Sequence, residues 1–373
     1  MVVSSRRRAF YRVAFAALTT LALYLAYDEL QSMSLEARAL GSTARRISMV
    51  LPLGPGNADH KRLFIGLASL ARFFDVAGSL EELLIVTPRS DVALLRRMLD
   101  ERGEQPAAGA GYRRLLERTR VASDHSLVPE FSALRGARRV AGYTKQQVVK
   151  LAAAFHVRTD WYLTLDADVV CFREVGFEQL VRGGRGIATM STVGKHRDWL
   201  AWAGGVLRTA LHKEPAETPI LGVTPSLLHA PTVRAMAKHI AELHVPKRGA
   251  NWRAALCSWP HFVGEYALYY TYLWKMQLFD GLYDANAADG TYLSHGFSAW
   301  SSKEWASFDP KKTFGAQPPP PPGYFIVLQS RGSKIGPEVV WRKIGPFIVA
   351  KKTAAQTAAE KAAELDNAKS RSI

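Results

Sequence analysis

Apolar residues in this chain follow two rhythms. Short, nearly unbroken runs from Ile47 to Leu53, from Leu83 to Thr87 and from Trp161 to Leu165 each stop at a glycine, proline or aspartate. Runs of that length fit strands covered on both faces. Between them, apolar residues recur every three to four positions from Lys61 to Phe74, from Asp91 to Leu99 and from Lys145 to Phe155, which predicts helices. Strand and helix in alternation predict an α/β fold, with a mostly parallel central sheet flanked by helices. Ligands of such sheets gather at the carboxyl ends of the strands. Gly54-Pro55-Gly56, Thr87-Pro88 and Asp166-Ala167-Asp168 all fall there.

The remainder is less regular. Residues 101–125 show no clear period and predict a variable connection. Gly183-Gly184-Arg185-Gly186 predicts a turn, Ile220 to Pro225 a loop, and Ser226 to Leu243 a helix with a break at Pro231. Tyr266 to Trp274 reads as an aromatic helix and Tyr324 to Leu328 as a further strand. Gln317 precedes Pro318 to Pro322, an extended, solvated insertion over about 316–323. The Ala-, Lys- and Glu-rich residues 351–373 predict an exposed helix or disorder.

At the amino terminus, Arg6-Arg7-Arg8 and Arg12 precede a mostly apolar stretch from Val13 to Tyr27, and Asp28 and Glu29 follow it. That charge order predicts a membrane signal anchor over residues 1–30, single-pass and type II, with its tail in the cytosol. A stem over 31–45 then leads to one catalytic domain over 46–350. The expected compartment is the lumen of the secretory pathway, the Golgi in a eukaryote. A cleaved secretory or organellar targeting peptide has the same composition.

Composition narrows the partners. The net charge of +16 suits phosphorylated ligands or anionic lipid, but the arginines are scattered pairs without zinc-finger spacing or an aromatic RNA-binding signature. Nucleic acid is therefore not an expected partner. Cys171 and Cys257 are too few for a disulfide framework and read either as one pair or as two free thiols.

Asp166 and Asp168 stand one residue apart where a strand runs out into a loop. Two such carboxylates can share one hard divalent cation, Mn²⁺ or Mg²⁺, and leave its other positions to a substrate's phosphates. The plainer reading is a pair of turn-capping carboxylates. Glu265, opening a helix after Gly264, is the candidate base that takes the proton of an acceptor hydroxyl; otherwise it complements the helix dipole. His295 is a candidate third metal ligand, ahead of His261. Lys145, Gln146 and Lys150 on the helix before the acidic strand, together with Thr87, are candidates for contacts to a nucleotide and its phosphates. Trp259 is a candidate for stacking on a sugar ring.

Taken in order, Tyr143-Thr144-Lys145-Gln146-Gln147, Tyr162 to Asp168, Gly222-Val223-Thr224-Pro225, Gly264 to Tyr269 and Val327-Leu328-Gln329-Ser330 resemble a poorly characterised family of glycosyltransferase-like proteins with a predicted GT-A fold. The resemblance runs over about residues 46–345. It implies a GT-A-like α/β domain, a nucleotide-sugar donor, Mn²⁺ or Mg²⁺ on Asp166 and Asp168, and a hydroxyl acceptor on a glycan, glycoprotein or glycolipid. In retaining GT-A enzymes a histidine near the domain's end often completes the metal site, a place His295 could fill. Here Trp300 and Lys303 follow it without the usual Lys-Pro-Trp, so inversion with Glu265 as base is expected. Two alternatives stand beside this expectation. An apolar run before Asp-x-Asp also resembles the nucleophile strand of haloacid-dehalogenase-like phosphohydrolases, with Asp166 as nucleophile. A non-catalytic GT-A-fold binding protein is the other.

Overall fold

The structure is a computed structural model that describes residues 45–105, 109–132, 142–248, 251–258, 264–285, 292–315, 323–330 and 334–349. The candidate anchor, the proline run, the tail, Trp259 and His261 lie outside the described residues, as does the side chain of His295. No helix among the described residues is long and apolar enough to cross a membrane.

The first half of the chain supplies β1 (Ile47–Pro52), α1 (Asn57–Phe73), β2 (Leu80–Thr87), α2 (Val92–Glu104), α3 (Ala110–Glu117), β3 (Thr119–Ser123), α4 (Gly142–Ala152), β4 (Trp161–Thr164) and β5 (Val169–Cys171). The second half adds α5 (Val193–Leu207), β6 (Ser226–His229), α6 (Ala230–Arg248), α7 (Glu265–Lys275), β7 (Phe325–Val327) and α8 (Pro337–Ile348). Five strands form the central sheet in the order β6-β4-β1-β2-β3. β4, β1, β2 and β3 pair in parallel, and β6 runs antiparallel along β4. All six residues of β1 are buried, which explains an apolar run without alternation. Register places Pro52 beside Val86, Thr87 beside Ser123 and Val50 beside Thr164, so four parallel strands end along one edge.

A second core lies beyond that edge. β5 pairs antiparallel with β7, and Val170 and Ile326 from this ribbon pack with Ile65 of α1 and with Val340, Ile344 and Ile348 of α8. The ribbon begins one residue after Asp168, so the acidic loop joins the two cores.

Three expectations are corrected. Residues 101–125 are not a plain connection: they contain the end of α2, all of α3 and β3. β3 is an edge strand with only Val121 buried, so no alternation was there to read. Ser226 to His229 is a strand, with Leu227 and Leu228 both fully buried, rather than the start of a helix. The helix α6 begins at Ala230 and holds Pro231 in its first turn, where a missing N–H costs nothing. Within the expected loop 220–225, Pro219–Leu221 forms a strand paired with Met190–Thr192. Cys171 and Cys257 are both free, and burial pushes the Cys257 thiol up to about 12, which leaves it unreactive near neutral pH.

Leu163 in β4 is fully buried. Leu163→Ala should lower stability by roughly 2–5 kcal/mol, read as a lower urea midpoint, through the cavity it leaves. His156 follows the 3-10 turn after α4; burial, and then Arg253 and Arg120, push its imidazole down to about 4. The unfolded chain therefore binds an extra proton between about pH 6.5 and 4, and this group lowers stability as pH falls through that window. His156→Gln should flatten the fall in melting temperature over the same range, and an unchanged slope would exclude this origin.

Candidate active site

The site is built on the loop between β4 and β5. Leu165 N donates to Val50 O at 2.8 Å, extending the β4–β1 pairing by one step. Val169 N donates to Asp166 O at 3.0 Å, closing the turn Asp166 to Val169. Both carboxylates are thereby presented from one tight turn at the carboxyl edge of the sheet.

Asp166 faces a buried cation. The Lys150 ammonium lies 2.8 Å from Asp166 Oδ1 and 2.9 Å from Glu265 Oε1. The Lys150 and Glu265 side chains are each 5% exposed and that of Asp166 30%, so the cluster opens on the Asp166 side. Three elements meet here. Lys150 sits near the end of α4, Asp166 follows β4, and Glu265 is the first residue of α7. The Tyr266 ring lies 5.0 Å from the ammonium, and the Tyr266 hydroxyl meets Thr164 Oγ1 at 2.9 Å. Gln147, one turn before Lys150, accepts from Gly264 N at 3.3 Å, and Gly264 takes the left-handed conformation that lets the chain turn into α7. Burial works against the charged lysine, but Asp166 and Glu265 outweigh it and hold its pKa well above the ordinary value.

Asp168 is held from the other side. Its Oδ2 accepts from Ser330 N at 2.9 Å, and its backbone carbonyl accepts from Leu328 N at 2.9 Å. Arg62, buried on α1, donates to Leu328 O at 3.3 Å. Burial and the neighbouring Asp166 push the Asp168 carboxyl above its usual range, while Ser330 and Arg62 pull it partly back. Two carboxylates with a shortfall of positive charge, one already holding an ammonium, form a donor set suited to a hard divalent cation. Among the described residues, no group of three or more His, Cys, Asp and Glu gathers as a complete metal cage.

The other candidates are spread along the same edge. Thr87 is fully buried at the end of β2, and its hydroxyl has no hydrogen-bond partner among the described residues. Lys145 lies 3.8 Å from Asp124 Oδ2 and 5.0 Å from the Phe131 ring, beyond the end of β3. Gln146 is half-buried on α4. The backbone of His295 opens a 3-10 turn, His295–Phe297. Reading the sequence missed Ser330 and Arg62 as site residues, although Gln329-Ser330 closes the last of the ordered motifs. It also missed that Lys150 and Glu265 touch.

Lys150→Met would leave Glu265 buried without a counter-charge. It should cost roughly 3–5 kcal/mol in urea denaturation. Adding Glu265→Gln should restore most of that loss; a single variant as stable as the parent would show that the pair is not buried as described.

Comparison with known proteins adds the following. A sequence profile of the Family of unknown function (DUF6492) matches residues 44–352. No curated protein matches the chain. The chain is similar to the solved structure of mouse Xyloside xylosyltransferase 1, apo form, at 12% identity and a TM-score of 0.42, over 77% of this chain and 99% of that one. It is also similar to the WbbM bifunctional glycosyltransferase apo structure at 10% identity and a TM-score of 0.43, over 85% of this chain and 51% of that one. It thus spans about half the length of WbbM.

Proposed function

We propose that this chain, which belongs to the Family of unknown function (DUF6492), is a metal-dependent glycosyltransferase that moves a sugar from a nucleotide-sugar donor to a hydroxyl acceptor on a glycan, glycoprotein or glycolipid. One observation supports the reading above the others: Asp166 and Asp168 share a turn at the carboxyl edge of a parallel sheet, with a buried ammonium on the first. A cation held at that place would supply charge control at a leaving diphosphate.

In this reading Asp166 and Asp168 would hold Mn²⁺ or Mg²⁺, and His295 is a candidate further ligand. The bound cation would neutralise the negative charge of the departing nucleoside diphosphate. Ser330 fixes the rotamer of Asp168 through its Oδ2, and Lys150 fixes Glu265 through its Oε1. Glu265 is the proposed base for the acceptor's proton, which an acceptor would reach at the small exposed part of this side chain, and that role would give inversion at the transferred carbon. Lys145 and Gln146 lie along the edge on which the nucleotide would rest, and Thr87 is buried beneath it. The basic-then-apolar amino terminus supports a type II membrane anchor for the whole protein.

The test is scanning fluorimetry of the purified protein with UDP-, GDP- and CMP-sugars, each with Mn²⁺ or EDTA. A thermal shift with one nucleotide, present only with metal and absent in Asp168→Ala, is the expected outcome and identifies the donor class. No shift with any of them, together with hydrolysis of a generic phosphoester that Asp166→Asn abolishes, would replace this reading with the phosphohydrolase.

A further inference from the structure

The Lys150 ammonium is placed between two carboxylates at nearly equal distance, 2.8 Å from Asp166 and 2.9 Å from Glu265. Its surroundings hold it there. The Lys150 backbone carbonyl accepts from the Tyr162 hydroxyl at 3.1 Å, and the Tyr266 ring lies beside the ammonium. The Glu265 side chain is 5% exposed, whereas that of Asp166 is 30% exposed. The ammonium donates its hydrogen bond to Glu265 and only ion-pairs with Asp166 Oδ1, which is buried beneath it; a competing cation reaches Asp166 on the exposed rest of that carboxylate and draws off the charge that holds the ammonium. Asp168 cannot replace Asp166 as the pair's movable member, because Ser330 and Leu328 fix that residue by side chain and backbone.

We propose that Lys150 is the resident counter-ion of the divalent site: it holds Asp166 while no metal is bound and releases it, keeping Glu265, when one binds. The inference rests on the metal reading of Asp166 and Asp168 given above. The exchange needs no uncovering of buried charge, since Glu265 satisfies the ammonium throughout. It makes metal affinity a difference between two ionic contacts at Asp166, and so lower than two carboxylates alone would give. Glu265 then has a second duty, as the group that lets Lys150 release Asp166.

The test is Mn²⁺ titration of the full-length protein, with free Mn²⁺ read by electron paramagnetic resonance, so that no turnover is needed. Three proteins are compared: the parent, Glu265→Gln, and Lys150→Met with Glu265→Gln. The double variant keeps the net charge of the cluster but clears Asp166. It should bind Mn²⁺ roughly tenfold more tightly than the parent, whereas a bulk charge effect predicts no change. Glu265→Gln alone commits the ammonium to Asp166 and should weaken binding several-fold. Should the methionine variant melt too low, Lys150→Gln with Glu265→Gln takes its place. Equal affinity in the parent and the double variant, with binding in both lost on Asp168→Ala, overturns this inference and leaves the metal reading standing. No Mn²⁺ bound by any of the three overturns both.

Discussion

An ammonium removed from water must have its counter-charges in place, and the rest of the candidate site follows from that requirement. Lys150 and Glu265 are separated by 115 positions in sequence, yet each is about as buried as a core leucine. Either one alone at that depth would cost several kcal/mol. The end of α4, the turn after β4 and the start of α7 are therefore fixed to one another by charge as well as by packing. Gln147 adds a neutral clamp on the same helix turn, taking the N–H of Gly264 just where the chain bends into α7. A one-residue slip of either helix would lose both contacts together.

The opposite side of the acidic turn is fixed by a different device. There the second core brings the end of β7 against Asp168, and backbone donors from Leu328 and Ser330 meet its carbonyl and carboxylate. Arg62 ties α1 to the same strand end through Leu328 O. The two aspartates, one residue apart in sequence, thus answer to separate parts of the molecule. Asp166 belongs electrostatically to α4 and α7, and Asp168 to the ribbon β5–β7 and its helical cover.

How much of this was legible in the chain depends on the range of the cause. β1, β2 and β4 were legible because strands covered on both faces leave apolar runs, and the aspartate pair stood out because it interrupts one. β3 was not, since an edge strand with one buried residue has no pattern to show. β6 was misread because Leu227 and Leu228 continue smoothly into the helical spacing of α6, and only the neighbour at β4 makes them a strand. Lys150 and Glu265 could each be picked out as candidates by position. That they bind each other was not legible, because the contact is set by strand order in the sheet, which local periodicity does not encode. The part played by Ser330 was hidden for a further reason: its backbone N–H does the work, and a backbone donor has no residue type.

Strand order also gives an argument for the site that owes nothing to the Asp-x-Asp pattern. From β1 the chain steps to β2 and then to β3 on one side, and then crosses back to lay β4 on the other side of β1. Parallel crossovers are right-handed, so reversing the direction of travel sends the connecting helices to opposite faces of the sheet. The α1 crossover and the α4 crossover therefore part above the carboxyl ends of β1 and β4, and a crevice opens where they part. Gly54 follows β1 into that crevice and Asp166 follows β4 into it. Any sequence folded in this order would have its switch point here. What this chain adds is the charge: two carboxylates on one lip, and behind them a lysine held ready from the helix that made the crossing.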